Sequence, residues 1–150
     1  MRLKTPPAVQ LLISSFLMWI ISIYADNVRF IFKYNIELAS LCLIISGTII
    51  VFGIAAFRKA ETTVNPLHPD KASSLVAMGI YQYTRNPMYF GLLLILLSIG
   101  FYLQNLASMF VLPLYVWFIS KYQIIPEEVA LQKVFGQDYK DYQDNIRRWI

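Results

Sequence analysis

The sequence predicts an all-α integral membrane protein with about four transmembrane helices and a C-terminal amphipathic helix at the membrane interface. Hydrophobic residues make up 57% of its 150 residues, which is more apolar surface than a soluble core of this size can hide. Four apolar segments each approach the roughly 20 residues that a helix needs to cross the hydrocarbon core. The last segment is polar but carries apolar residues at near-helical spacing.

The predicted transmembrane helices occupy residues 8–24, 36–57, 88–104 and 106–125. The first lacks the small residue that a signal-peptidase site requires two positions before a cut after Ala25, so we interpret it as a retained anchor. Only the polar pair Gln104-Asn105 separates the third and fourth. This short connection predicts an antiparallel helical hairpin.

The chain contains no internal repeat, low-complexity tract or flexible linker. We therefore predict a single domain over residues 1–150. Residues 1–57 would form its two N-terminal helices, and residues 58–150 a polar loop, the hairpin and the tail.

The distribution of lysine and arginine predicts the orientation. In this topology only Arg29 and Lys33 lie on one side, and the other basic residues lie on the opposite side. Because positively charged loops resist translocation, both termini and the polar segments around the hairpin should be cytoplasmic. The membrane spans interrupt the basic residues, so the net charge of +4 does not indicate nucleic-acid binding.

A single cysteine, Cys42, excludes an intramolecular disulfide and a thiolate metal site.

The tail reads as an amphipathic helix at the cytoplasmic interface. Pro126 suits its first turn, and Glu127 and Glu128 suit the positive end of its dipole. Gly136 should break or bend it. Basic residues would face anionic headgroups; they are Lys133, Lys140, Arg147 and Arg148.

An ordered set of short motifs resembles a known family. The motifs are Gly79-Ile80-Tyr81, Arg85-Asn86-Pro87-Met88-Tyr89 with Gly91, then Glu127-Glu128, Leu131, Phe135-Gly136, Tyr139 and Tyr142. Their order is similar to that of the isoprenylcysteine carboxyl methyltransferase family and its phospholipid methyltransferase relatives, over roughly residues 57 to 150. Ionisable groups are costly at membrane depth, so such a set also indicates function by itself.

The resemblance implies an S-adenosylmethionine-dependent methyltransferase that acts on a lipophilic acceptor from the bilayer, with the cofactor in a cytoplasm-facing pocket roofed by the tail. It implies a set of cofactor-binding residues: Ser73, Ser74, Leu75, Val76, Tyr81, Asn86, Pro87, Met88, Tyr89 and Glu127. It places Arg85 and Glu128 as catalytic candidates.

Two positions depart from the best-studied branch of that family. Asn86 stands in place of a histidine, so a proton shuttle is excluded there and hydrogen bonding is expected instead. Gln123, the substrate-binding candidate, stands in place of an arginine, which weakens the case for a carboxylate acceptor; Lys121 is a possible substitute. An amine acceptor would need a base, for which His68 is a candidate by its pKa.

These observations favour an isoprenylcysteine carboxyl O-methyltransferase-like enzyme. Two alternatives stay open: a phospholipid N-methyltransferase, and a noncatalytic membrane scaffold or lipid-binding protein. A sterol-reductase relative would need a nicotinamide site, and the sequence has no glycine-rich phosphate-binding loop to support one. The sequence predicts neither the oligomeric state nor the acceptor.

Overall fold

The computed structural model describes residues 5–61 and 73–150, which form α-helices, turns and one isolated β-bridge. The α-helices in these ranges are α1 (Pro7–Tyr24), α2 (Asn35–Lys59), α3 (Pro87–Leu103), α4 (Leu106–Met109), α5 (Val111–Ile119) and α6 (Ile125–Asn145). Short 3-10 turns occur at Asp26–Val28 and Gly79–Gln82, and a π-helical turn at Ser120–Ile124 joins α5 to α6.

The prediction of an all-α membrane protein is confirmed. Among the described residues, α1, α2 and the helical segment Leu106–Phe135 are long and apolar enough to cross a membrane. Helix α3 has 17 residues, which is at the lower end of the length that spans a bilayer.

The fourth predicted helix, residues 106–125, is not continuous. Its first turn, α4, ends at Met109, and α5 begins at Val111. The ring of a proline clashes with the carbonyl group four residues earlier, and Pro113 has Met109 at that position. Pro126 likewise cannot donate to the carbonyl of Tyr122, and the wider π-helical turn precedes it. Proline therefore explains both departures from a regular helix.

Helix α3 is the centre of the bundle and packs on α1, α2 and α5. Its contact with α2 is close because small residues face each other. The Ser46 hydroxyl donates to the Gly91 carbonyl at 2.8 Å, and the Ser98 hydroxyl donates to the Ala39 carbonyl at 2.7 Å. A Cβ atom on Gly91 would lie 2.6 Å from Cγ1 of Ile50.

The other glycines of these helices differ in how closely they are packed. Gly53 and Gly100 do sit against Met88 and Met109. Gly47 does not, because no atom lies within 4 Å of the position that its Cβ would take. Gly47 lies on an open face of α2, where a small side chain is not required for packing.

A polar cluster joins the α1–α2 connection to the turn between α3 and α4. The buried Asn105 accepts a hydrogen bond from the Ser108 amide at 2.9 Å and donates to the Ala25 carbonyl at 2.7 Å. The Phe30 amide donates to the Gln104 carbonyl at 2.9 Å. Both connections therefore lie at one end of the bundle. The first residue of α3, the end of α2 and the start of α6 lie at the other.

The tail bends at Gly136, as predicted, with φ 56° and ψ −122°. A side chain would be strained in this region of backbone conformation. Beyond α6 the chain reaches the start of α3, where the Arg85 amide donates to the Arg147 carbonyl at 3.0 Å. The prediction that Arg148 faces headgroups is wrong, because its guanidinium is paired with Glu128.

Candidate functional site

A pocket lies between the end of α2, the start of α3 and α6. Most of the residues predicted from the sequence line it: Ser74, Leu75, Val76, Tyr81, Arg85, Asn86, Met88, Tyr89, Glu127 and Glu128. Three elements far apart in the sequence thus converge, and the tail closes the pocket with Phe135, Tyr139 and Tyr142.

A hydrogen bond between Tyr89 and Glu127 lies in the pocket wall. The Tyr89 hydroxyl donates to Oε2 of Glu127 at 2.8 Å. Pro87 is the first residue of α3 and Pro126 the second residue of α6, positions that suit proline because a first helical turn needs no intrahelical N–H. The starts of these two helices therefore set the positions of this hydroxyl and this carboxylate.

Tyr81 forms an aromatic wall with Phe57. Their ring centroids are 5.4 Å apart with the planes at 82°, an edge-to-face contact. Gly79 opens the turn that carries Tyr81, and its φ of 62° explains the glycine. The Tyr142 hydroxyl donates to the Tyr81 carbonyl at 2.7 Å. The tail therefore holds this turn in place.

Glu128 is held by two arginines. The Arg148 guanidinium donates to both carboxylate oxygens, at 3.0 and 2.7 Å, and Nη2 of Arg85 lies 3.2 Å from Oε1. Such two-pronged pairs fix orientation as well as charge. The Nε and Nη1 atoms of Arg85 are buried without a hydrogen-bond partner in the described structure. Arg85 therefore keeps donors at the pocket after pairing with Glu128.

The chain end binds the turn that precedes α3. The Arg148 carbonyl accepts from the Thr84 hydroxyl at 3.2 Å and from Nδ2 of Asn86 at 2.9 Å. Nearby, Trp149 packs on the core and donates from Nε1 to the Ser120 hydroxyl at 3.3 Å. Asn86 therefore lines the pocket with its amide nitrogen already bonded to the protein.

Burial keeps the tyrosine hydroxyls of the tail and turn protonated. It is the largest factor that raises the pKa of Tyr81, and the negative charge of Glu127 raises this pKa further. Burial also raises the pKa of Tyr139 and the pKa of Tyr142. The hydrogen bonds to Glu128 raise the pKa of Arg148. The hydroxyls thus stay neutral donors, and the arginine stays charged.

Three predicted site residues do not line this pocket: Ser73, Pro87 and Gln123. The Ser73 hydroxyl donates to the Glu61 carbonyl at 3.1 Å. Pro87 is buried where it begins α3. The buried Gln123 accepts from Nε2 of Gln10 at 3.4 Å. These three side chains do not line the pocket, and the binding roles expected for them stay predictions.

The suggested substitute for the missing arginine is also placed elsewhere. The ammonium of Lys121 lies over the Trp117 ring, 5.0 Å from its centroid, and is not among the residues that line the pocket. His68 lies outside the described residues, so its candidacy as a base stays a prediction.

Several lining residues were missed from the sequence: Pro7, Ile50, Phe57, Leu92 and Ile124. All but Phe57 are aliphatic or proline, and three of the five belong to α1 and α2, where no motif occurs. No signal in the sequence distinguishes them from lipid-facing residues.

Two groups that the sequence did identify give the pocket its charge: the carboxylate of Glu127 and the partly unpaired guanidinium of Arg85. Together with the aromatic walls, they can receive a ligand that carries both a cation and an anion.

A family model matches the part of the chain that contains most of the residues lining this pocket. Residues 34–138 match the family model described as phospholipid methyltransferase. That region contains all of α2, all of α3 and most of α6. No solved structure matches the chain.

Three curated relatives illustrate the similarity. An uncharacterized protein of Haemophilus influenzae is 36% identical over 63 residues, which are 42% of this chain and 100% of that protein. The protein-S-isoprenylcysteine O-methyltransferase of Schizosaccharomyces pombe is 32% identical over 77 residues, 51% of this chain and 33% of that protein. The enzyme of the same name from Dictyostelium discoideum is 38% identical over 72 residues, 48% of this chain and 30% of that protein. The chain thus matches about a third of the length of these two enzymes.

Proposed function

This chain belongs to the phospholipid methyltransferase family, and we propose that it is a membrane methyltransferase that moves a methyl group from S-adenosylmethionine to a lipophilic acceptor. The observation that carries the proposal is the Tyr89–Glu127 hydrogen bond in a pocket that also contains the partly unpaired guanidinium of Arg85. A membrane scaffold would not need these ionisable groups at the end of a bundle.

The residues present fit this cofactor. S-adenosylmethionine carries a sulfonium and an ammonium, which suit the Glu127 carboxylate and the aromatic rings of Tyr81 and Tyr89. It also carries a carboxylate, which suits the two unpartnered donors of Arg85. Leu75 and Val76 give an apolar surface for its base. We assign the cofactor-binding role to these residues, together with Ser74, Asn86 and Met88.

The chain's own residues would act by positioning and by excluding water. The cofactor supplies an activated methyl group on its sulfonium when bound. The Tyr89 hydroxyl holds the Glu127 carboxylate in one orientation, and the paired Glu128 holds Arg85. Phe135, Tyr139 and Tyr142 cover the pocket from the tail. Alignment of this kind lowers barriers by roughly 7 to 11 kcal/mol when the reacting atoms are near attack distance.

For the methyl acceptor we propose two candidate classes. Two relatives are named isoprenylcysteine O-methyltransferases, which supports a prenylcysteine-like carboxyl acceptor. Phospholipid N-methylation is the second candidate. It is supported by the family description and by Gln123, which offers no charge at the position where a carboxylate acceptor would find an arginine.

We further propose that the pocket and both termini are cytoplasmic. The α1–α2 connection, which carries Arg29 and Lys33, forms hydrogen bonds with the turn at Gln104 and Asn105. The pocket is at the opposite end of the bundle, beside Lys59 and Arg85. Positive-inside asymmetry then favours the pocket side as the cytoplasmic one.

The first experiment is calorimetric binding of S-adenosylmethionine and S-adenosylhomocysteine to the detergent-purified chain. Saturable binding should weaken at least tenfold in Glu127→Gln, since a charge-assisted contact contributes about 1.5–3 kcal/mol. The control is Asp144→Asn, which removes an exposed carboxylate from the same helix. Absence of binding by a folded parent chain, with lipid also present, would contradict the proposal and favour the scaffold alternative.

A further inference from the structure

The charge of the pocket depends on a residue outside its wall. Within the part of the chain that the structure describes, the charged residues of the wall are Arg85, Glu127 and Glu128. Taken alone, one cation and two anions would leave a negative charge in surplus. Arg148 does not line the pocket, but its guanidinium pairs with Glu128 from the outer side, where the Arg148 side chain is 38% exposed and that of Glu128 is 10% exposed.

The two arginines share Glu128 unequally. Arg148 donates from Nε to Oε1 at 3.0 Å and from Nη2 to Oε2 at 2.7 Å, so both carboxylate oxygens accept from it. Arg85 approaches with Nη2 alone, 3.2 Å from Oε1. A two-pronged pair binds a carboxylate more firmly than a single contact does. The charge of Glu128 is therefore balanced mainly by Arg148, and the positive charge of Arg85 remains available to the pocket.

Arg148 and Glu128 thus act as a neutral unit. The other charges of the described wall are those of Arg85 and Glu127, and the Tyr89 hydroxyl that donates to Glu127 is neutral. The pocket therefore presents one cation and one anion. Without Arg148, Glu128 would pair with Arg85 in two-pronged fashion. The carboxylate of Glu127 would then be the uncompensated charge.

Hydrogen bonds to the main chain hold Arg148 in this place. The Thr84 hydroxyl and Nδ2 of Asn86 both donate to its carbonyl, at 3.2 and 2.9 Å. These two donors flank Arg85 in the chain. The segment that carries Arg148 is therefore fixed to the segment that carries Arg85, and the two guanidiniums keep their places on either side of Glu128.

We propose that Arg148 is a specificity-determining residue. By neutralising Glu128, it makes the pocket select a zwitterionic ligand, which carries an ammonium and a carboxylate, over a purely cationic one. Arg148 acts through Glu128 and Arg85 and does not touch the ligand. That the ligand is the amino-acid end of S-adenosylmethionine rests on the proposed function.

Two ligands that differ by a single group test this selection. S-adenosylmethionine carries a sulfonium, an ammonium and a carboxylate. Decarboxylated S-adenosylmethionine keeps both cations and lacks the carboxylate. Calorimetry with the full chain in detergent measures both dissociation constants. The parent chain should bind S-adenosylmethionine more tightly, because the charge of Arg85 attracts the carboxylate.

Arg148→Ala should weaken binding of S-adenosylmethionine by about tenfold, which is the contribution of one charge-assisted contact. Binding of the decarboxylated ligand should stay unchanged or become tighter, because the pocket has gained negative charge. The control is Arg147→Ala, which removes an exposed guanidinium from the neighbouring position and should change neither constant. Equal weakening of both ligands by Arg148→Ala would indicate a merely structural role and overturn the proposal, as would no change in either.

A second substitution tests the electrostatic cause. Glu128→Gln, added to Arg148→Ala, removes the surplus negative charge and should restore S-adenosylmethionine binding to within about threefold of the parent chain. A structural defect would instead deepen, since a further buried contact is lost. Affinity that stays low in the double variant, while the decarboxylated ligand still binds, would overturn the proposal.

A readout without ligand separates this proposal from the proposed function. Nitrogen-15 spectra of the arginine Nε–H groups, assigned with Arg85→Lys, report the partner of Arg85. Its signal should shift in Arg148→Ala, when Glu128 pairs with it, and should return in the double variant. An unmoved signal would overturn the proposal. The expected shifts, together with no binding of either ligand by the folded parent chain, would contradict the proposed function and leave the effect of Arg148 on Arg85 in place.

Discussion

At the scale of single residues, the two neighbouring glutamates have different environments. Glu127 accepts a hydrogen bond from the Tyr89 hydroxyl at the pocket, and Glu128 forms ion pairs with Arg85 and Arg148. The sequence placed both at the start of a helix, where dipole electrostatics alone would explain them. The structure gives Glu128 a structural pairing and leaves Glu127 with a single hydroxyl partner, which fits its proposed contact with a cation.

Tyr89 should act through Glu127. We expect Tyr89→Phe to weaken S-adenosylmethionine binding by about three- to tenfold, because one hydrogen bond to a charged group is lost. Combined with Glu127→Gln, it should add little, since the two side chains form one unit. A double-mutant cycle by calorimetry measures this coupling. Fully additive effects would show that the two side chains bind the cofactor independently.

Arg148 should stabilise the chain end. Arg148→Ala leaves the buried Glu128 with Arg85 as its remaining guanidinium partner, and we expect a loss of about 1–3 kcal/mol in unfolding free energy. The loss is small for a buried ion pair because the Arg148 side chain is 38% exposed, and solvent screens its charge. Thermal unfolding in detergent measures it. The matched control is Arg147→Ala, which removes an exposed guanidinium next to it; an equal loss there would contradict a specific role for Arg148.

At the scale of elements, the α2–α3 contact determines whether the pocket forms. Ser46, Ser98 and Gly91 let the two helices approach closely. This contact places the end of α2, with Phe57, against the turn that carries Tyr81. Small residues permit close helix packing, but which of them lie at the interface depends on the rotation of each helix about its axis.

Gly91→Ala should push α2 and α3 apart. The new Cβ would lie 2.6 Å from Cγ1 of Ile50, and overpacking of this kind costs about 1–3 kcal/mol. Thermal unfolding in detergent should show the loss, and Ile50→Ala in the same chain should recover part of it. Gly47→Ala is the control, because its Cβ meets no atom within 4 Å. Equal destabilisation by both substitutions would contradict packing as the cause, because alanine by itself is the better helix former.

At the scale of the whole molecule, the helices cross the bundle an even number of times. The α1–α2 connection and the α3–α4 turn share one end, and the chain's last residues bind the turn before α3 at the other. This arrangement supports the proposal that the two described ends of the chain lie on the same side of the membrane. The single-domain organisation over residues 1–150 stays a prediction.

The sidedness can be measured with single cysteines in a Cys42→Ser background. We expect Asn27→Cys to react with a membrane-impermeant maleimide in intact cells, and Asp144→Cys to react only after the membrane is opened. Both positions are exposed, so access depends on the membrane. Reaction of both in intact cells would contradict the four-crossing topology, and the reverse pattern would place the pocket outside the cytoplasm.

The sequence by itself determined the membrane class, the approximate helix bounds, the bend at Gly136 and most of the polar pocket residues. It could do so because hydrophobic length, proline and glycine act locally, and because charged groups in an apolar chain are conspicuous. Only the tertiary structure decided that Gln123 packs against Gln10 outside the pocket wall, that Arg148 binds Glu128, and that Phe57 and Ile50 line the pocket. These outcomes depend on contacts between residues far apart in the chain, and apolar residues of a membrane helix look alike in sequence whether they face lipid, protein or ligand.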